Sequence, residues 1–210
     1  RCVLPFLIAV LLAGASGAAA QQLVQQPDIP EVEGPLPPEA QPPDPPSIAL
    51  EENRLDELFA DLKRERNEKA AERIANFIRE EWSRSGSASI DLLMQWSGKA
   101  VREKKFDAAL DFLDQVTLLA PDFAEGWNRR ATVHYMMDSY AKSMADIEHT
   151  LRLEPRHFGA LSGMAEIFKI YERKQAALDA YMRVLAVYPM LRSAQAQVGT
   201  LADELAGEGI

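Results

Sequence analysis

Three sets of residues have types and spacings that could do chemistry. Ser139-Tyr140-Ala141-Lys142 reads S-x-x-K, a pattern that sets a lysine amine one helical turn from a candidate serine nucleophile. That chemistry also needs S-D-N and K-T-G elements in a mixed α/β framework, and neither tripeptide occurs here. His134, His149 and His157 are the imidazoles available to a metal. No two of them stand four residues apart, so none share a helix face as ligands would. Cys2 is the single cysteine, and the chain beyond it has no thiol to serve as nucleophile or metal ligand. No glycine-rich loop follows a strand pattern, because no strand pattern is present. These readings imply no catalytic residues, no metal and no cofactor. An enzyme ranks third among the functions considered.

The formal net charge of −9 leaves no basic stripe with which to replace the counterions of a nucleic acid. Function must then come from how the chain is organised. Pro121, Pro155 and Pro189 are spaced 34 residues apart, and each ends a helical pattern that proline cannot continue. Units 90–123, 124–157 and 158–191 align in phase. Ser97, Ala131 and Ala165 fall at one place in these units, and Ala109, Ser143 and Ala177 answer them from the second helix. Small residues there let two antiparallel backbones approach. Phe106 and Tyr140 stand near the turn, with Lys174 in their place in the third unit. That unit is otherwise the fullest match, with Leu161, Met164-Ala165, Phe168, Ala177, Tyr181 and Pro189.

A 34-residue period with this order of large, small, aromatic and proline positions resembles the tetratricopeptide repeat (TPR) family. The middle run from Ala124 to Leu161 is similar to small exported alphaproteobacterial proteins of this layout. The resemblance covers 90–191 and implies an all-α fold, a right-handed superhelical solenoid of antiparallel helix pairs. It also implies a protein or peptide partner held in a concave groove.

The flanks complete the expected architecture. Two apolar stripes, Leu55-Leu58-Phe59-Leu62 and Ala71-Ile74-Ala75-Ile78, predict a helical hairpin over 52–85 that reads as a degenerate first repeat. Gly86-Ser87-Ala88-Ser89 breaks its phase. Residues 192–206 repeat only the start of a unit and predict a capping helix, so the domain runs 48–210. Residues 21–47 hold nine of the thirteen prolines and no Lys or Arg, the composition of an acidic, disordered linker. Residues 1–20 have one positive charge, a short apolar core and Ala18-Ala19-Ala20, which predicts a signal peptide cleaved after Ala20. The expected location is the periplasm of a Gram-negative bacterium. The alternative is an uncleaved inner-membrane anchor, in which case the membrane is met only through this segment.

In the TPR family the second, fifth, ninth, twelfth and thirteenth unit positions face the groove. The resemblance assigns Met94, Val101, Arg102, Asn128, Thr132, Tyr135, Met136, Ser162, Glu166, Lys169 and Ile170 to that surface. Met94, Met136 and Ile170 could equally pack between neighbouring helices. The family's carboxylate clamp has Lys and Asn at two positions where Met94 and Gly98 stand, so the resemblance does not extend to a co-chaperone role. One pair follows from comparing the units with each other. Position 7 is apolar in the outer units (Trp96, Met164) but Arg130 in the middle one, and the facing position 23 changes in step from Phe112 and Ala180 to Asp146. A partly buried Arg130–Asp146 ion pair is expected; the alternative is an arginine that reaches solvent beside a surface acid. The function expected is an exported scaffold binding a partner in cell-envelope assembly or maintenance. The alternative is an accessory subunit that packs by its convex face.

Overall fold

The computed structural model describes residues 45–208. The signal segment and residues 21–44 of the linker lie outside the described residues. Among those described there are nine helices and no strand: α1 Pro45–Arg64, α2 Glu68–Trp82, α3 Ala88–Arg102, α4 Phe106–Leu119, α5 Ala124–Met136, α6 Tyr140–Leu153, α7 Phe158–Ile170, α8 Lys174–Val187 and α9 Arg192–Glu208. None is long and apolar enough to cross a membrane. Helix α1 begins inside the stretch read as linker. Pro45 and Pro46 lie in its first turn, where a missing N–H breaks no helical bond.

Helices α3–α4, α5–α6 and α7–α8 form three antiparallel pairs. The small residues at their crossings are buried: Ser97, Ala109, Ala131, Ser143, Ala165 and Ala177. At the middle crossing the backbones come close enough for Ser143 Oγ to donate to the Ala131 carbonyl at 2.8 Å. The turn inside each pair repeats as well. Lys104, Asp138 and Glu172, again 34 apart, take positive φ of 58°, 54° and 56°. The residue after each donates five positions back, as Lys105 N does to the Ala100 carbonyl at 2.9 Å. This satisfies carbonyls at the helix end that would otherwise lack partners.

The N-terminal hairpin corrects one expectation. Instead of stacking as a first repeat on α3–α4, α1–α2 shares its buried cluster with α7, α8 and α9. Phe59, Leu62, Ala71, Ala75 and Ile78 are in that cluster with Phe158, Tyr181, Tyr188 and Leu201. The cluster formed by α3, α4 and α5 contains no residue of the hairpin. Aromatic and ionic contacts fix the docking. Trp82 stacks on His157 at 4.1 Å between ring centroids and 13° between planes. The Arg156 guanidinium lies 4.1 Å from the Phe59 ring and reaches Asp56 at 2.5 Å. Arg192 pairs with Glu68 at 3.1 Å. Gly86, at φ 73°, supplies the left-handed turn in the connection back to α3. The broken phase at 86–89 marked the hairpin as outside the register, and its docking partners follow from tertiary packing.

Candidate functional site

The first helices of the three pairs, α3, α5 and α7, line a groove. Between α3 and α5 lies an open pocket of ≈ 360 Å³ walled by Gly98, Val101, Arg102, Asn128, Arg129 and Thr132. Between α5 and α7 lies one of ≈ 170 Å³ walled by Asn128, Ala131, Thr132, Tyr135, Gly159, Ala160, Gly163 and Glu166, with Ile147 of α6 also contributing. Asn128 and Thr132 belong to both, so the two pockets adjoin across α5. A third pocket of ≈ 440 Å³ extends it toward α2, where Asn76, Arg79 and Trp82 face Glu125, Asn128 and Arg129.

Of the candidate residues, Val101, Arg102, Asn128, Thr132, Tyr135 and Glu166 line these pockets. Met94 does not. It is 4% exposed and fills the α3–α4 core beside Ile90 and Leu113, so for this residue packing is the correct reading. Met136 and Ile170 are exposed at the ends of α5 and α7, beyond the pocket walls. Ser162 returns its hydroxyl to the Phe158 carbonyl at 2.8 Å, one turn back on α7. Lys169 spans to α9, donating to Gln197 Oε1 at 2.7 Å and to Glu166 at 3.2 Å. Gly98, Glu125 and Gly159 stand at the ninth and second unit positions that the resemblance turns to the groove but are absent from the assigned set; Arg129 and Gly163, at the sixth position, were missed. The i, i+4 spacing of Glu125 and Arg129 was a readable signal for one pair.

Electrostatics knit the groove to its supports. Burial acts to raise the Glu125 carboxyl, but His157 and then Arg129 outweigh it and hold the group below the ordinary carboxylate value. His157 is 2% exposed and caps α7, its Nδ1 accepting from Ala160 N at 3.0 Å. That bond leaves the hydrogen on Nε2, which is 3.2 Å from Glu125 Oε2. One ring therefore caps α7, bonds α5 and stacks on α2. On α7, Glu166 accepts from the Tyr181 hydroxyl, and burial followed by that carboxylate raises the phenol.

Arg130 and Asp146 form a two-pronged pair, Nε to Oδ2 at 2.8 Å and Nη2 to Oδ1 at 2.7 Å. Arg130 Nη1 also reaches Asp114 Oδ1 at 2.8 Å and Thr117 Oγ1 at 2.9 Å on α4, so it ties the first pair to the second. The guanidinium sits 4.7 Å from the Trp127 ring, whose other neighbour is His149, stacked at 3.8 Å. Burial pushes the third imidazole, His134, down. At the S-x-x-K site, Tyr140 donates to Asp138 at 2.6 Å, a bond that pushes its hydroxyl up to about 12. No hydrogen bond joins Ser139 to Lys142.

No family model matches the chain. A TPR repeat-containing protein of Rhizobium etli is 58% identical over 154 residues, which are 73% of this chain and 76% of that protein. The chain is a tetratricopeptide-repeat protein. Solved structures show the same fold at low identity. The first TPR of Spaghetti (RPAP3), bound to the HSP90 peptide SRMEEVD, matches at a TM-score of 0.54 and 20% identity over 57% of this chain and 95% of that one. The TPR2B domain of yeast Sti1, in an Hsp70 complex, matches at 0.52 and 14% over 56% of this chain and 99% of that one.

Proposed function

We propose that this TPR protein is an exported adaptor whose α3–α5–α7 groove holds a segment of a protein partner in cell-envelope assembly or maintenance. The observation that carries the reading is that the two inner pockets adjoin at Asn128 and Thr132 on α5. A groove lined by Val101, Tyr135 and scattered polar groups offers both apolar contact and hydrogen bonds to an extended chain. The Spaghetti (RPAP3) TPR, bound to a peptide, is support by analogy of fold. Export rests on residues 1–20 alone, and the role is binding rather than catalysis.

Affinity capture from envelope extract tests it. Asn128→Arg plugs the junction of the pockets and abolishes capture while leaving helix content unchanged; retained capture refutes the groove. Fractionation with mass spectrometry tests export, the expected mature form beginning at Gln21. An accessory subunit that packs by its outer face is the second reading. It draws on Leu118 and Leu119 at the end of α4, 72% and 63% exposed. Under that reading Leu118→Asp with Leu119→Asp, and not Asn128→Arg, ends capture.

A further inference from the structure

Two guanidiniums meet over Gly98. A Cβ built on that glycine would stand 3.5 Å from Arg102 Nη1 and 4.0 Å from Arg129 Nη1. The two arginines come from different helices, α3 and α5, and both line the same ≈ 360 Å³ pocket. Arg129 is balanced by Glu125, to which its Nε donates at 2.9 Å. Arg102 is exposed and makes no hydrogen bond or ion pair with any described residue. Counted over the charged residues that line it, Arg102, Glu125 and Arg129, the pocket carries a net single positive charge, in a chain whose net charge is −9. Two cations that line one pocket repel, and a negative charge between them offsets the repulsion. Guanidinium N–H groups in a fork also match the geometry of a carboxylate.

The second feature is the socket across α5. Gly159 and Gly163 leave its α7 wall without side chains, and a Cβ at Gly163 would stand 3.3 Å from Ile147 Cδ1. Ala131, Ala160 and Tyr135 complete an apolar hole open to the groove. Packed helix axes lie roughly 8–10 Å apart, and an extended chain advances about 3.3 Å per residue. A segment crossing α5 thus spans the two features in about three residues.

We infer that the groove reads an extended peptide by an Asp or Glu carboxylate seated between Arg102 and Arg129 and an aliphatic side chain, about three residues away, in the Gly159–Gly163 socket. The inference rests on the groove reading and deepens it by naming the ligand's chemistry. A carboxylate fits better than a phosphate because the net single positive charge of the lining residues balances one negative charge. The positions involved are not those of a clamp for a terminal carboxylate: the acid is a side chain, and Gly98 contributes by having none.

The test uses the full chain and blocked, fluorescein-labelled nonapeptides in a Ser/Ala background, with Glu and Leu three residues apart in either order. Fluorescence anisotropy reads affinity. One order binds, and Glu→Gln or Leu→Ala in the peptide each weakens it about tenfold or more. Arg102→Gln in the protein weakens the Glu peptide by a similar factor and leaves the Gln peptide unchanged. Gly163→Val abolishes the Leu contribution, with a thermal melt showing that the variant folds and the peptide substitutions providing the same test if it does not. Equal binding of Glu and Gln peptides, indifference to Arg102→Gln, tighter binding of a phosphoserine peptide, or no binding in either order overturns the inference. The groove reading falls separately, if Asn128→Arg leaves partner capture intact.

Discussion

Breaking the Arg130–Asp146 pair should cost unequal amounts from its two sides. Asp146→Ala removes two charge-assisted hydrogen bonds, each contributing about 1.5–3 kcal/mol. The guanidinium keeps Asp114 and Thr117 on Nη1, and at 19% side-chain exposure it admits water. The loss is therefore set near the bottom of the range for stranding a buried ion, about 3 kcal/mol. Arg130→Met leaves a carboxylate only 7% exposed, whose nearest remaining charged or chargeable group is the His134 ring at 4.0 Å. It also uncouples α4 from α5, so its cost should approach about 5 kcal/mol. In a domain of this size each kcal/mol corresponds to about 2–4 °C in melting temperature, so the first variant melts roughly 6–12 °C lower. Urea unfolding of the two single variants and the double variant gives the coupling energy, expected near 2 kcal/mol. His134 provides an independent readout. Its pKa is lowered by burial and by Arg130 against the pull of Asp146, so Arg130→Met should raise it in an NMR titration. A coupling energy within about 0.3 kcal/mol of zero, or Asp146→Ala costing more than Arg130→Met, refutes the reasoning.

Acid should expose the Glu125 node. Its folded pKa is depressed, so its stabilisation is full above the unfolded value of 4.5 and is lost as pH falls from there through the folded value; Glu125→Gln should flatten the stability profile in that window. Two glycines should respond in opposite directions to alanine in thermal melts. Gly126→Ala puts a Cβ 2.7 Å from Val116 Cγ1 and destabilises by about 1–3 kcal/mol. Gly199→Ala, with open space around it inside α9, stabilises by about 0.5–1 kcal/mol. Trp82→Ala removes the stack on His157 and loosens the hairpin by about 2–3 kcal/mol; hydrogen exchange should rise in α1 and α2 and stay unchanged in α3 and α4.

The three helix pairs were legible because everything that defines them is local and recurs. Pro121, Pro155 and Pro189 end helices, and Ser97, Ala131 and Ala165 face a partner helix a short turn away in sequence. The coupled change at Arg130 and Asp146 was visible because the repeats act as their own alignment. The contacts of Arg130 to Asp114 and Thr117 were not, since they cross between pairs and no other unit has an arginine there to compare. Met94 misled because a groove position on the first helix of a stack loses its solvent when Ile90 and Leu113 close around it. The convergence of Arg102 and Arg129 depends on side-chain direction over a glycine, which spacing alone does not encode. His157 looked like a spare imidazole, yet its place just before α7 suits a helix cap.

The docking of α1–α2 on α7–α9 changes what kind of mechanical object this array is. An open stack of repeats behaves like a spring with loose ends, fraying from either terminus and changing its pitch to suit what it holds. Here the segment leading into the first pair is clipped to the last through Trp82–His157, Arg156–Asp56 and Arg192–Glu68. Pitch and groove width are then shared properties of the closed loop. Widening the groove at α5–α7 strains the clip, and releasing the clip softens the groove. A segment held in the proposed groove would meet a shape already set, and its binding would cost less conformational entropy.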